Sequence, residues 1–207
     1  MPEDYTPRHY ASRTHEKMRE VLMDPEAEGP AIHYHMVRGG VEQRNITIWE
    51  PGKVGGEFIT TYGHYHVGNL DETYWVLYGE GIAVIQKRIE GSNGPIDDEI
   101  EGIHVVKVKA GDELYMPSGW GHLVVNIGTT FLVTGDDSPV NFDEVDPVSL
   151  PGHADYDAVQ RMRGFAYYVV EKDVEPALVR NQLYKKVPPA EIIAAKDYPL
   201  TKSGRLR

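Results

Sequence analysis

The chain has 207 residues and no cysteine, which excludes a disulfide framework, an iron–sulfur cluster, a thiolate zinc site and a cysteine nucleophile. Its 32 acidic and 21 basic residues give a formal net charge of −11, which disfavours binding to a nucleic-acid backbone. The sequence contains neither an apolar run of the roughly 18–20 residues that span a bilayer nor a secretory signal pattern. We therefore expect a cytoplasmic protein that binds neither nucleic acid nor membrane.

The first predicted element is a short helix near the N-terminus. Residues 10–24 are polar with scattered apolar positions, a pattern typical of an amphipathic helix that ends before Pro25. We expect residues 1–29 to form a helical extension that precedes the main domain.

Between Ile32 and Gly135 the pattern predicts short strands separated by turns that contain glycine. The predicted strands cover residues 32–37, 45–49, 58–66, 73–78, 82–86, 104–108, 113–116, 123–127 and 131–134, and a further strand covers 165–171. Strands at about ten-residue spacing with such turns are typical of an antiparallel sandwich or barrel. We expect an all-β domain over residues 30–172 and a C-terminal tail over 173–207 with a short helix at 190–196.

Two His-x-His pairs lie in predicted strands, His33/His35 and His64/His66. Residues i and i+2 of a strand project from the same face, so either pair could bind one metal ion. The second pair is followed by a turn and then by Glu72, and a hairpin can bring this carboxylate opposite the two histidines. The first pair has no such carboxylate, and we interpret it as two strand residues that could line the same cavity.

A third imidazole stands about 50 residues further on. Pro117 and Gly119 form a tight turn that presents His122 at the start of a strand. Three imidazoles and one carboxylate provide nitrogen and oxygen donors for a divalent first-row metal and leave positions open. The predicted ligands are His64, His66, Glu72 and His122, and Asp71 is the nearest alternative to Glu72.

These residues follow two sequence motifs, and through them the chain resembles the cupins. The second cupin motif, G-x5-P-x-G-x2-H-x3-N, is complete from Gly111 to Asn126. The first cupin motif is matched from His64 to Gly79 with one difference. Five residues, instead of three or four, separate His66 from Glu72. The resemblance implies a cupin fold, which is a double-stranded β-helix or jelly-roll barrel with short peripheral helices. It also implies a homodimer that pairs through outer strands.

A narrower resemblance covers residues 30–170. The segments PGKVGGEF (51–58), TYGHYH (61–66) and ETY (72–74) resemble the cupin-type glucose-6-phosphate isomerases of archaea and some bacteria. The substrate-binding residues that this resemblance implies are Tyr34, Thr47, Thr61, Gly63, Tyr74, His153 and Tyr156. The threonines among them also fit ordinary strand positions, and the tyrosines fit core positions.

The activity that the resemblance implies is the interconversion of glucose 6-phosphate and fructose 6-phosphate, a step of glycolysis and gluconeogenesis. A base moves a proton between C2 and C1 through an enediol or enediolate, and the resemblance assigns this acid/base role to Glu72. A metal-assisted hydride shift is the alternative route. The implied cofactor is one divalent ion per chain, with Fe2+ favoured and Mn2+, Ni2+, Co2+ or Zn2+ also compatible.

Other functions use the same barrel, because one fold hosts many chemistries. A cupin dioxygenase would share the three-histidine, one-glutamate set but would favour a large apolar pocket. A non-enzymatic cupin would bind a sugar phosphate without turnover. Threonine, tyrosine and glycine near the predicted ligands favour a polar sugar phosphate as the small-molecule partner.

Overall fold

A computed structural model of the chain describes residues 10–39, 45–143, 146 and 152–202. Its strands in the first half are β1 (Tyr10–Thr14), β2 (Ile32–Val37), β3 (Asn45–Trp49), β4 (Lys53–Val54), β5 (Glu57–Thr60), β6 (His64–His66), β7 (Glu72–Tyr78) and β8 (Glu80–Gly91). Those in the second half are β9 (Gly94–Lys109), β10 (Glu113–Met116), β11 (Trp120–Asn126), β12 (Leu132–Asp136), β13 (Ala154–Asp155), β14 (Tyr167–Lys172), β15 (Glu175–Arg180) and β16 (Ile192–Ala194).

The helices are short and peripheral. They are α1 (His15–Met18), α2 (Asp157–Arg161) and two single turns of 3-10 helix at Arg19–Val21 and Ala195–Asp197. Within the described part of the chain, no helix has both the length and the apolar character needed to cross a bilayer.

Two sheets form the body of the protein. The first has the strand order β1-β2-β3-β12-β7-β10, and the second has the order β15-β14-β5-β11-β8-β9-β16, with β6 pairing β11 and β13 and with β4 pairing β5. Neighbouring strands are antiparallel except for β16, which runs parallel to β9. This mostly-β arrangement confirms the predicted all-β jelly-roll class.

The core lies between the inner faces of the two sheets. On β5, on β11 and in the first half of β8, most residues of both faces are buried, and the inner faces of both sheets contribute to one cluster. Its members include Met36, Trp49, Val76 and Leu132 from the first sheet and Ile59, Ile82, Val84 and Val124 from the second. The indole nitrogen of Trp49 also donates a hydrogen bond across the core to the Val124 carbonyl, at 3.0 Å.

The predicted strand 58–66 is two strands, and this difference shapes the site. Residues 61–63 separate β5 from β6, and Gly63 has a φ of +76°, a value that glycine adopts without steric cost. A Cβ at this glycine would lie 3.0 Å from the Phe165 ring. Both β5 and β6 pair with β11, and a one-residue shift in register between them places His64 opposite His122.

Other boundaries differ because pairing continues beyond the core. The strands predicted at 82–86 and 104–108 are the inner parts of the long hairpin β8–β9. The strand β15 follows β14 through a hairpin at Asp173 and Val174, which both have positive φ angles, and the sequence pattern did not predict it.

The two predicted terminal helices are largely wrong. Residues 10–14 form β1, which pairs with β2, and the α-helix that follows covers only His15–Met18. In the tail, Ile192–Ala194 form β16 against β9, and a 3-10 turn follows. Edge-strand pairing provides hydrogen bonds that an isolated helix of this length cannot match. The division into 1–29, 30–172 and 173–207 stays a prediction.

Candidate metal centre

Four side chains meet where the two sheets face each other. His64 and His66 project from one face of β6, and antiparallel pairing puts His122 of β11 directly opposite His64. Glu72 comes from the other sheet, at the start of β7. One ligand atom from each of the four lies within 4.8 Å of every other. The four predicted ligands therefore form one cluster.

The loop between His66 and Glu72 is held from both sides. The Leu70 carbonyl lies 3.0 Å from His66 Nδ1, and the Ser118 hydroxyl donates a hydrogen bond of 2.7 Å to the Gly68 carbonyl. Asp71 is exposed and accepts a hydrogen bond from the Ser118 amide. The structure thus brings Glu72, and not its alternative Asp71, into the cluster.

Burial sets the protonation of the cluster. Loss of hydration lowers the pKa of His64 and of His122 well below the ordinary value, and neighbouring histidines lower both further. Burial also raises the pKa of Glu72 well above its ordinary value, and the carboxylate of Asp136 adds to the shift. These shifts favour the neutral form of the imidazoles and of the carboxyl group.

The hydrogen-bond pattern fits a cation. His66 directs Nδ1 to a carbonyl oxygen, so Nδ1 carries the proton and Nε2 presents a lone pair 3.0 Å from Glu72 Oε2. Both ring nitrogens of His122 are buried without a hydrogen-bond partner among the described residues. A buried imidazole without partners is costly, and a metal ligand role would satisfy one of these nitrogens.

A buried polar network around Asp136 lies beside Glu72, and the sequence pattern did not predict it. Asp136 at the end of β12 is fully buried. It accepts hydrogen bonds from Asn45 Nδ2 at 2.6 Å and from the Ser138 hydroxyl at 2.7 Å. Nη1 of Arg38 lies 3.3 Å from its other carboxylate oxygen.

Strand alternation is the signal that could have found this network. Leu132 and Thr134 point into the core from β12, and the same parity directs Asp136 inward. By the same parity, Asn45 shares the inner face of β3 with Trp49.

A cavity opens beside the cluster. Its lining consists of Arg38, Asn45, His64, Glu72, Tyr74, Ser138, Pro139, Val140 and His153. Among the residues that the resemblance implied, Tyr74 and His153 thus line the cavity. The ring of Tyr156 is 5.3 Å from that of His64, and the ring of Tyr74 is 5.2 Å from that of His122.

The other implied substrate residues lie further from the cavity or face elsewhere. The Tyr34 hydroxyl accepts hydrogen bonds from Arg13 Nε and the Tyr62 amide. Thr47 is buried inside the barrel opposite Thr134. Thr61 bonds through its hydroxyl to the Val124 amide, at 3.0 Å, and lines a separate pocket. Gly63 forms the backbone turn before His64.

The first His-x-His pair is not part of the cluster. His33 is buried against His15, with Nε2 at 3.0 Å from Nδ1 of that ring, and burial lowers its pKa to about 4. His35 shares the face of β2 with His33 and contacts Tyr10 and Glu50. Both residues act within the strand packing, as the sequence interpretation proposed.

The fold and the donor set together define a cupin whose barrel holds a three-histidine, one-glutamate cluster that could bind a metal ion. The family model described as glucose-6-phosphate isomerase (GPI) matches residues 31–188. The chain belongs to this glucose-6-phosphate isomerase family, as the sequence resemblance implied.

Individual relatives agree with the family model. The chain is 34% identical over 142 residues to a glucose-6-phosphate isomerase of Pyrococcus furiosus, a match that covers 68% of this chain and 63% of the relative. It is 33% identical over 182 residues to that of Thermococcus litoralis, covering 81% of this chain and 84% of the relative. The chain thus spans less than two thirds of the Pyrococcus protein.

Solved structures are similar at low identity. A predicted oxalate decarboxylase of Thermotoga maritima is 17% identical with a TM-score of 0.36, over 61% of this chain and 88% of that protein. The cupin domain of Drosophila melanogaster CENP-C is 11% identical with a TM-score of 0.37, over 56% of this chain and 77% of that domain.

Proposed function

We propose that the protein is a metal-dependent isomerase that interconverts glucose 6-phosphate and fructose 6-phosphate. The observation that carries this proposal is the buried cluster of His64, His66, Glu72 and His122 beside a polar cavity, in a chain of this family. The polar lining suits a sugar phosphate better than the apolar substrate of a dioxygenase.

The reaction needs a group that removes a proton from C2 and returns it at C1. Glu72 is the carboxylic acid side chain in the described lining of the cavity. Glu72 Oε2 lies 3.0 Å from His66 Nε2, and Asp136 is a close neighbour of Glu72. Both contacts support a role for Glu72 in moving this proton. We assign Glu72 as the acid/base of an enediol or enediolate mechanism.

The cluster would hold one divalent ion through its three imidazoles and the Glu72 carboxylate. The resemblance favours Fe2+, and the donor set also accepts Mn2+, Ni2+, Co2+ or Zn2+. Such an ion, when bound, polarises a sugar carbonyl and stabilises negative charge on its oxygens. Tyr74, His153 and Tyr156 orient the sugar beside the cluster, which their distances to its imidazoles support. Tyr34, Thr47, Thr61 and Gly63 stay predicted substrate residues.

We further propose that the protein works in the cytoplasm as a homodimer. Exposed apolar side chains on β7 and in the turn before β12, namely Leu77, Tyr78 and Phe131, support an interface between two copies. Sedimentation of the purified protein measures the mass directly, and a monomer at micromolar concentration would contradict this proposal.

The decisive experiment is a coupled assay of fructose 6-phosphate conversion on purified protein. We expect turnover with Fe2+ or Mn2+, loss of turnover after exhaustive chelation, and recovery when the ion is returned. Activity that survives complete chelation would remove the metal from the proposal. Binding of fructose 6-phosphate with no turnover in any of the metals would instead favour the non-enzymatic alternative.

The acid/base role has its own test in Glu72→Gln. We expect kcat to fall by about 10²–10⁴-fold, the range that a general base contributes, with a smaller change in KM. Metal content is measured in the same samples, because a purely structural ligand would lose metal in proportion to activity. In the wild type, solvent deuterium bound to carbon in the product would support proton transfer through Glu72, because a hydride shift leaves those carbon positions without deuterium.

A further inference from the structure

A buried arginine of the first strand stands beside the candidate site and has no role in the proposed chemistry. Arg13 lies on β1 opposite Tyr34 of β2 and keeps 6% of its surface exposed, whereas its neighbours Ser12 and Thr14 are less buried. A buried guanidinium is costly unless it is paired or hydrogen-bonded. Arg13 precedes residues 31–188, which the family model matches, so the resemblance assigns it no role.

Arg13 is connected to the segment that leads into the first ligand histidine. Its Nε donates a hydrogen bond of 3.1 Å to the Tyr34 hydroxyl, and the same hydroxyl accepts a hydrogen bond of 3.3 Å from the Tyr62 amide. Tyr62 lies in the segment 61–63 between β5 and β6, and His64 follows directly. The backbone in front of His64 is therefore tied to β1 through one tyrosine hydroxyl.

Arg13 also packs against the ring of Tyr62 and so reaches Tyr156. Its guanidinium carbon lies 5.8 Å from the Tyr62 ring centroid, a distance at which a cation is attracted to an aromatic face. The Tyr62 and Tyr156 rings meet edge to face with centroids 5.7 Å apart, and the Tyr156 ring lies 5.3 Å from that of His64. A row of aromatic rings thus connects Arg13 with a ligand of the cluster.

The other end of Tyr62 is held by the same N-terminal segment. The Tyr62 hydroxyl donates a hydrogen bond of 2.6 Å to Glu20, and Lys17 Nζ donates one of 2.8 Å to the same carboxyl group. The hydroxyl end is thus anchored independently of Arg13. Loss of Arg13 would free the ring face and the backbone of Tyr62 while this end stays in place.

We propose that Arg13 is a positioning residue that holds the Tyr62 ring and, through it, the Tyr156 ring against His64. The N-terminal strand thus completes one wall of the candidate site. The role of Tyr156 in orienting a sugar rests on the proposed function. The contact between Tyr156 and His64 can be measured without any substrate.

The first measurement is this ring contact. Nuclear Overhauser signals between Tyr156 and His64 are recorded on the full chain in the presence of Zn2+, which is diamagnetic. We expect the signals in wild type and their loss in Arg13→Gln. Arg13→Lys keeps the charge, so it should fold even if the glutamine variant does not, and we expect weaker signals. The control is Arg19→Gln, which removes the same charge from a surface pair with Glu16 and should behave as wild type.

The second measurement is the KM for fructose 6-phosphate. Arg13→Gln should raise it about tenfold, since small displacements of positioning groups are costly, and kcat and metal content should change far less. The effects of independent residues multiply to within about twofold. Because Arg13 acts through Tyr156, adding Arg13→Gln to Tyr156→Ala should raise KM by less than the product of the single effects.

Four results would overturn the proposal. The ring contact could be absent from wild type, persist in Arg13→Gln, or be lost equally in Arg19→Gln. Alternatively, the rise in KM could be equally large in the Tyr156→Ala background. Loss of the ring contact in Arg13→Gln, in a protein that does not convert fructose 6-phosphate, would refute the proposed function and keep this inference.

Discussion

At the scale of single residues, the cluster separates ligand histidines from packing histidines. His64, His66 and His122 surround Glu72, with ring centroids between 4.6 and 5.2 Å apart. His33 is just as buried, yet it bonds only within the packing of the first sheet, through His15. Burial alone therefore does not identify a ligand, and convergence of donor atoms does.

This difference predicts opposite results for two alanine substitutions. His122→Ala should weaken metal binding by more than the roughly 10–100-fold that loss of a supporting residue costs, and activity should fall with it. His33→Ala should keep the metal and lose only stability. Metal content after dialysis, measured by atomic emission, distinguishes them, and equal metal loss in both variants would contradict the assignment of the cluster.

Glu57 is a third buried carboxyl group, besides Glu72 and Asp136. It accepts one hydrogen bond, from the Met23 amide at 2.8 Å, and burial raises its pKa to about 8. The folded state therefore holds this proton more tightly than the unfolded state does. The stabilisation is complete below the unfolded pKa near 4.5 and is lost as the pH rises from there to about 8.

Glu57→Gln tests this pH dependence. Wild-type stability should lose up to about 1.4 kcal/mol per pH unit from this group across the window, whereas glutamine does not ionise. The free energy of unfolding of the variant relative to wild type should therefore increase from pH 5 to pH 8 in denaturant titrations. The exposed Glu175→Gln is the matched control, and a constant difference for Glu57→Gln would show that this carboxyl is ionised in the fold.

At the scale of elements, Arg88 on β8 connects two parts of the candidate site from outside the barrel. Its guanidinium carbon lies 3.9 Å from the ring centroid of Tyr65, which stands between the two histidines of β6. Its Nη2 pairs with Asp155 at 3.1 Å, and its Nη1 pairs with Asp97 at 2.6 Å. Asp155 lies on β13, which pairs with β6 and is flanked by His153 and Tyr156.

Arg88→Gln should therefore loosen the segment that carries His153 and Tyr156 while β6 keeps its pairing with β11. We expect KM for fructose 6-phosphate to rise about tenfold, since small displacements of positioning groups are costly, with metal content unchanged. Arg88→Lys should recover part of the loss. The control is Lys87→Gln, which removes the neighbouring surface ion pair with Glu101. Metal loss in Arg88→Gln would contradict the proposal that Arg88 holds only the segment with His153 and Tyr156 in place.

Strand positions were predictable where one face alternates clearly. The bounds of β2, β3 and β10 match the prediction, and on β3 and β10 buried side chains occupy every second position. The break at residues 61–63 was not visible, since Thr61 and Tyr62 both favour strands. The terminal strands were missed because their stability comes from partners distant in sequence.

The candidate site, like the strands, was predictable only where the sequence carries a clear local pattern. The four donors have fixed spacings within two short motifs, so the sequence alone indicates them. Arg38 and Asp136 are 98 residues apart and belong to no local motif. The pairing of β2 with β3 and of β3 with β12 brings them together.

At the scale of the whole molecule, the cluster depends on contact between both sheets. Three ligands come from the second sheet and Glu72 comes from the first. The core residues that hold the sheets together, such as Trp49 and Val124, are neighbours of the ligand strands. Metal binding and closure of the barrel should therefore stabilise each other, because a ligand that binds only the folded state shifts the equilibrium toward it.

The pairing of β6 with β11 also has a consequence for the order of events during synthesis. His122 leaves the ribosome 56 residues after His66, and it reaches its place only when β11 has inserted between β6 and β8. A nascent chain that ends before this strand carries two imidazoles and a carboxyl but not the third imidazole. The complete set of four donors therefore forms only after β11 has been synthesised.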